Sequence, residues 1–360
     1  MSMTVSDFGS LGVLVADSQS VNQHMDKLAA QEGSGLVSDS YGGMGASSQT
    51  ALTLLPQIAQ STVLQNNINV ATAQLSVTQT VMSQLQSIAT NFYSQVTSLP
   101  TEDPSTVDTV AASAQQALTE VASLLNTQDA GSYIFAGTDS SNPPVTVPPS
   151  PDTIVTAPSG FYAQINAAIS GADLTTTAGA TAALATAMGV ATSDSPGTTP
   201  FSATIGTPQM IETAVGVQTQ AGLLANQNTL IPANTSSSST GSYVRDLMLG
   251  LATLGSLSSS QQNQPGFDTI LSATQSTLSA SLSGMNTETS ALGNTQSQLT
   301  AAQTLLSDTS TALTQQVSSV DDVDMAQTLS DITLTQTQLE SSYKLIASMQ
   351  NMSLTDYITS

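Results

Sequence analysis

Side chains able to do acid–base or nucleophilic chemistry are scarce in this 360-residue chain, which holds one histidine and no cysteine. An imidazole titrates near neutral pH and is the commonest general base. His24, however, sits in Val21-Asn22-Gln23-His24-Met25, a setting that suggests a helix flank rather than a cleft. Without cysteine there is no thiolate nucleophile, no disulfide framework and no zinc cluster. The run Val320-Asp321-Asp322-Val323-Asp324 gathers three carboxylates, a set that suits calcium. It lacks the loop glycine and the distal bidentate glutamate of a calcium-binding helix–loop–helix. Acids at a helix N-terminus, where they complement the macrodipole, account for it better. Gly131–Gly137 and Asp139–Asn142 carry no phosphate-cradling pattern. Met82, Met325, Met349 and Met352 fall at helical spacing and read as core or interface filler. These residues predict no catalytic, metal or cofactor-binding site, and the chain is not expected to be an enzyme.

Charge narrows the partners further. Lys27, Arg245 and Lys344 face 25 acidic residues, for a formal charge of -22. Affinity for nucleic acid comes from cations that neutralise phosphates, so no nucleic-acid partner is expected. An anionic bilayer surface would repel the chain. With no run of ~18 apolar residues, no membrane insertion is expected either. The first residues lack a basic n-region, and no cleaved signal peptide is expected. Apolar residues make up 39% while Ser and Thr occupy 105 positions, so most of the polar surface is neutral.

Proline placement marks out the elements that must carry these residues. Pro143, Pro144, Pro148, Pro149, Pro151 and Pro158 cluster, whereas no proline falls between 57 and 99 or after Pro265. A proline-free tract can stay helical throughout, and a helix over about 266–318 would be roughly 80 Å long. Within 57–99, Leu64, Ala71, Thr78, Leu85 and Phe92 recur every seven residues, with Ile68, Leu75, Met82 and Ala89 four positions on. This is the pattern of a coiled-coil seam. Val63, Val70 and Val77 widen the stripe, as for a helix with more than one neighbour. Near the C-terminus, Leu329, Gln336, Tyr343, Gln350 and Tyr357 are seven apart, and Ile332, Leu339, Ile346 and Ser353 complete the alternation. Phe8, Leu11, Leu14, Val21, Met25 and Leu28 share one face of an N-terminal helix. Both ends read as amphipathic helices in need of a partner.

A third helix is predicted from Ser105, acting as N-cap with Asp108 reaching back, to about Asn126. Gly131-Ser132-Tyr133-Ile134-Phe135-Ala136-Gly137 is a short β-prone run between glycines, a strand or hairpin arm. From 140 to 235, Pro, Gly, Thr and Ala surround short β-branched runs at Val145–Val147, Thr153–Val155 and Ala203–Ile205, which predicts a separate, mostly β domain. The Ala-rich stretch 173–192 reads as helix or loop, and Ser236–Ser239 as a flexible exit before a helix that starts at Tyr243. The expected fold class is α+β: a long antiparallel helical coiled-coil rod formed by the N- and C-terminal arms, with an inserted mostly β middle domain. Its parts are an N-terminal amphipathic helix and turn (1–45) and a helical rod plus hairpin (46–140). The inserted domain (141–240), a helical return arm (241–321) and a C-terminal amphipathic helix (322–360) follow.

Three stretches resemble the flagellin superfamily. Leu124–Thr138 is similar to the hairpin N-x-x-x-x-G-x-Y-I-F-A-G found in members that join hook to filament; filament members usually read F-N-G there. Asp321–Ala326 followed by Leu339–Ile346 resembles a carboxy-terminal block shared by both kinds of member, and Ser353–Ile358 resembles the ending S-L-L-D-Y-L. Gly33–Gly43 departs from the family pattern L-S-T-G-K-R-V…P-S-D-D-P: the basic residues and the Asp pair are missing, while the glycines suit a turn.

The resemblance implies a structural component of the bacterial flagellum, secreted and extracellular, exported unfolded through the flagellar type III apparatus. It implies a homo-oligomer that packs beside other flagellar axial proteins (a hook-associated protein and flagellin), with an export chaperone as an earlier partner. A junction subunit linking hook to filament is the first expectation and filament flagellin the alternative. An extracellular adhesin, drawing on Phe161, Tyr162 and Phe201 for glycan contact, comes third. The expected assembly interface is Phe8, Leu11, Leu14, Val21, Met25 and Leu28 with Leu329, Ile332, Leu339, Tyr343, Ile346, Leu354 and Tyr357. The expected family hairpin is Gly131, Tyr133, Ile134, Phe135 and Gly137.

Overall fold

The computed structural model describes residues 5–146 and 153–358, with side chains described outside 5–11, 46 and 349–358. Phe8, Leu11, Met349, Gln350, Met352, Ser353, Leu354 and Tyr357 therefore carry expectations that lie outside the described side chains. Val147, Pro148, Pro149 and Pro151 lie outside the described residues altogether. The chain forms two compact units, one from Met1–Val63 with Leu306–Ser360 and one from Leu64–Leu305.

The second unit is built on two long helices, α2 (Ser48–Ser98) and α7 (Phe267–Asp321), each of which also contributes residues to the first. In α2 the buried positions include Leu64, Ile68, Ala71, Leu75, Thr78, Met82, Leu85, Ala89, Phe92 and Val96, the alternation that the sequence predicts. On α7, Leu271, Thr274, Leu278, Ser281, Met285, Glu288, Leu292, Thr295 and Leu299 are buried at the same 3–4 spacing. Side-chain amides stitch the pair and fix its antiparallel sense. Gln79 donates to Gln296 at 2.7 Å, and Gln86 donates to Asn286 and Thr289, each at 3.2 Å. Gln275 donates to Thr97 at 3.0 Å and Gln303 to Asn69 at 2.6 Å.

Helix α3 (Pro104–Leu125) starts one position before the predicted N-cap. Asp103 holds that place and Pro104 follows at the first helical position, where its fixed φ suits a helix and its missing N–H costs nothing. Asp108 does not reach back: its carboxylate accepts the Ser259 N–H at 2.8 Å. The chain then turns tightly between β1 (Gln128–Asp129) and β2 (Ser132–Tyr133). Ala130 and Gly131 at the turn have φ of 47° and 84°, the left-handed pair that a two-residue hairpin requires.

The middle segment is not mostly β. Its described residues fold into α4 (Phe161–Ser170), α5 (Thr177–Thr192) and a hairpin of β3 (Met210–Ala214) with β4 (Val217–Gln220). Phe161, Tyr162, Ile165 and Ile169 are spaced for one helical face and are buried. The Ala-rich run has high helix propensity, and its N-cap Thr176 accepts the Gly179 N–H. The short β-branched runs find little sheet: Val145 makes one isolated bridge, to Phe201. Nor does the middle stand apart, because α6 (Tyr243–Gly255) packs against α3, α4 and α5 within the same unit. The return arm therefore begins at Phe267 rather than near 241, since every residue of α6 is buried. Gly250 allows this close packing, since a Cβ there would come within 2.7 Å of Leu278.

Arg245 is the polar centre of this cluster. Its guanidinium donates to the carbonyl oxygens of Asn226 (2.8 Å), Ala191 (3.0 Å) and Ser193 (3.4 Å), pairs with Asp194, and lies 5.0 Å from the centre of the Phe201 ring. Asp246, next to it, accepts from the Ser239 hydroxyl at 2.5 Å and from the Thr240 N–H at 2.6 Å. The serine run expected to be a loose exit is thereby fastened to the start of α6. Arg245→Ala leaves these carbonyls without a donor and should cost the second unit about 2–4 kcal/mol. Arg245→Lys should fall between it and wild type in urea unfolding.

Two buried carboxyls make the unit sensitive to pH. Burial raises Asp246 above the usual carboxylate range, against the opposing effect of its hydrogen bonds. Burial likewise raises Glu288, which accepts the N–H groups of Thr229 (3.0 Å) and Leu230 (2.8 Å). Glu288 Oε2 and the Tyr243 hydroxyl are both buried without a hydrogen-bond partner, and the Glu288 charge adds to burial in holding the Tyr243 phenol protonated. A carboxyl whose folded pKa is raised adds stability below its unfolded pKa, and this is lost as pH rises through the folded value. Urea midpoints should therefore show Glu288→Gln above wild type at neutral pH. The gap should close as pH falls through the carboxylate range.

Candidate assembly surface

The first unit is nearly all helix and has little core. Helix α1 (Val5–Ser34) packs antiparallel on α8 (Met325–Ile358), with Asn22 Nδ2 donating to the Tyr343 hydroxyl at 3.0 Å. Their turns meet where Val37 N–H donates to the Asp321 carbonyl at 2.7 Å and Val323 N–H to the Gly35 carbonyl at 3.0 Å. A backbone bridge, Leu36 to Asp322, thus closes the turn that lacks the basic and acidic pairs of the family pattern. Asp324 caps α8, accepting the N–H groups of Ala326 (3.0 Å) and Gln327 (3.2 Å), which gives the acidic run a structural role.

The residues along the α1–α8 contact are small and partly polar. Ser18, Leu28, Thr328 and Thr335 are buried, while Leu14, Val21, Met25, Ile332, Leu339 and Ile346 are half-buried. On α8 the seam runs through Thr328, Thr335 and Ser342, one residue before Leu329, Gln336 and Tyr343. The reason is steric. Two helices approach closely where side chains are short, and Thr328 satisfies its own hydroxyl on the Asp324 carbonyl at 3.0 Å.

Leu329 and Tyr343, displaced from the seam, are 53% and 51% exposed. They join Val13, Val15, Leu52, Leu55, Val63, Met325, Leu334 and Leu345, all exposed on the helices of this unit. Against that stand four buried apolar residues among the described ones: Leu28, Met44, Ala51 and Val317. Single exposed apolar side chains are ordinary, but a unit with more apolar side chains outside than inside marks a surface made to be covered. The expected interface set thus divides in two. Leu14, Val21, Met25, Leu28, Ile332, Leu339 and Ile346 face the partner helix within the chain, while Leu329 and Tyr343 point outward. Sequence reasoning passed over Val13, Val15, Leu52, Leu55, Leu334 and Leu345. Scoring every face of each helix, not only the strongest heptad, would have found them.

The hairpin segment belongs to the second unit. Phe135 and Ala136 are buried, with Ala225 N–H donating to the Phe135 carbonyl and Gly206 N–H to the Ala136 carbonyl, both at 3.0 Å. Gly137 is pressed against the Thr207 carbonyl, where a Cβ would come within 2.5 Å, while Gly131 is exposed and Tyr133 and Ile134 are half-buried. His24 is exposed on α1. Phe161, Tyr162 and Phe201 are all buried, so none of them offers a stacking face to a glycan.

Comparison with known families finds two matches, each of which spans parts of both units. The bacterial flagellin N-terminal helical region matches residues 14–140, which take in most of α1, all of α2 and α3 and the β1–β2 hairpin. The bacterial flagellin C-terminal helical region matches residues 271–358, nearly all of α7 and α8. A search of curated proteins found no match to the chain. With so thin a core, the terminal helices of a free subunit should open far more readily than the α2–α7 pair. Amides of α1 and α8 are expected to exchange with deuterium orders of magnitude faster than those of 64–99. Equal protection would contradict this.

Proposed function

The chain belongs to the flagellin superfamily as a structural subunit of the flagellum, and from that premise we propose that it is the junction subunit between hook and filament. The observation that carries the proposal is the segment Gly131-Ser132-Tyr133-Ile134-Phe135-Ala136-Gly137, whose tyrosine-bearing pattern resembles junction members rather than filament ones. In this reading the subunit leaves the cell unfolded, with a chaperone covering its apolar helices beforehand. It orders at the hook tip, where neighbours supply the missing core; such ordering is driven by burial of apolar surface against the entropy of fixing the chain. Side by side, the terminal helices of successive subunits form the continuous layer that a single copy lacks.

Electron microscopy of cell-attached flagella with labelled subunits tests this. A single band at the distal end of the hook is expected; label along the whole filament would assign the chain to the filament instead. Leu329→Asp, placed on an exposed position, should leave the second unit folded and abolish incorporation.

A further inference from the structure

A groove of about 410 Å³ opens between α5 and α7, with α6 as its floor and Ser237 and Ser238 at one end. All of it lies within the second unit. Leu184 and Met188 of α5, Leu249 of α6 and Ala273 of α7 give it an aliphatic lining, and no charged or aromatic residue lines it. Clefts of roughly 300–1,000 Å³ with apolar walls and a few polar groups are the usual setting for small ligands.

The hydroxyls of the groove single out one position. Four threonines line it. Thr181 donates to the Thr177 carbonyl at 2.9 Å, Thr274 to the Ile270 carbonyl at 2.8 Å and Thr277 to the Ser238 carbonyl at 3.0 Å. Thr253, on the floor, is the exception: it is 2% exposed, and its hydroxyl has no hydrogen-bond partner among the described residues. A nearly buried hydroxyl left unpaired is costly. A donor kept free beneath an apolar groove is the kind of group that fixes a ligand's orientation.

We propose that this groove binds a small uncharged amphiphile, an aliphatic chain whose hydroxyl or carbonyl oxygen accepts the Thr253 proton. Charge selects the head group. The chain carries a formal charge of -22, so an anionic head is repelled. No carboxylate lines the groove to pair with a cationic one. An aromatic ligand finds no ring to pack against, whereas Met188, unbranched and polarizable, adapts to an aliphatic chain. The site lies in the second unit alone and does not depend on where the subunit assembles.

Isothermal titration calorimetry of the full chain with n-octanol, octanoate and n-octylamine tests the assignment. One n-octanol per chain is expected to bind, at least tenfold more tightly than octanoate or n-octylamine, which carry opposite charges on the same tail. Leu184→Trp and Ala185→Trp fill the groove from α5 and should abolish binding. Circular dichroism establishes that each variant folds, and either one suffices. Thr253→Val keeps the shape and removes the donor, so n-octanol should bind roughly tenfold more weakly while the urea midpoint holds or rises. A lower midpoint, or unchanged affinity in Thr253→Val, would make that hydroxyl structural and overturn the assignment. So would the absence of saturable n-octanol binding, equal binding of octanoate, or binding undiminished in both tryptophan variants. Self-association that Leu184→Trp abolishes, with no n-octanol bound to wild type, would give the groove to a second copy instead.

Discussion

A helix hides from water only the stripe that faces a neighbour, and the amount of apolar material on that stripe decides whether the pair stands alone. In α2 the buried stripe from Leu64 to Val96 is apolar except at Thr78, and in α7 the large apolar residues Leu271, Leu278, Met285, Leu292 and Leu299 recur every seven positions with Thr274, Ser281, Glu288 and Thr295 between them. That seam is closed within one chain, and α3 to α6 and the β1–β2 hairpin belong to the same unit. In α1 and α8 the corresponding positions include Ser18, Thr328 and Thr335, and much of the apolar material lies on other faces. One kind of interaction, drawn from two compositions, yields one unit with a continuous core and one with little core of its own.

Hydroxyl and amide groups take the place that ion pairs hold in most long helices. Threonine and serine donate to carbonyls one turn back, and glutamine and asparagine link α2 to α7. Ion pairs between exposed side chains contribute little to stability in any case, so the helices lose little by lacking them. The one arginine is reserved for the interior, where its planar fork joins α6 to the end of α5 and to the segment at Asn226. Its role is invisible from composition, which shows only that cations are rare.

The acids are concentrated away from the α2–α7 surface in a chain that belongs to a polymer-forming family. Net negative charge makes free copies repel one another. Thin packing at the terminal helices makes theirs the unit that opens more readily.

The sequence by itself determined the long helices, the seam of α2, the helix after Pro104, the hairpin arm that begins at Gly131 and the family. Each rests on local chemistry: proline spacing, apolar period and glycine placement act within a few residues of themselves. Tertiary structure decided what depended on partners distant in the chain. It made α4 helical within a segment expected to be mostly β, because Ile165 and Ile169 found a core there, and it decided for helix in the Ala-rich stretch that the sequence left as helix or loop. It fastened Ser239 through Asp246, turned Asp108 toward Ser259, and moved the α8 seam from Leu329 to Thr328 because close helix approach selects short side chains over greasy ones. Which apolar residues remain uncovered, and so can bind a neighbour, is a property of the packed chain, since exposure exists only after every other side chain has taken its place.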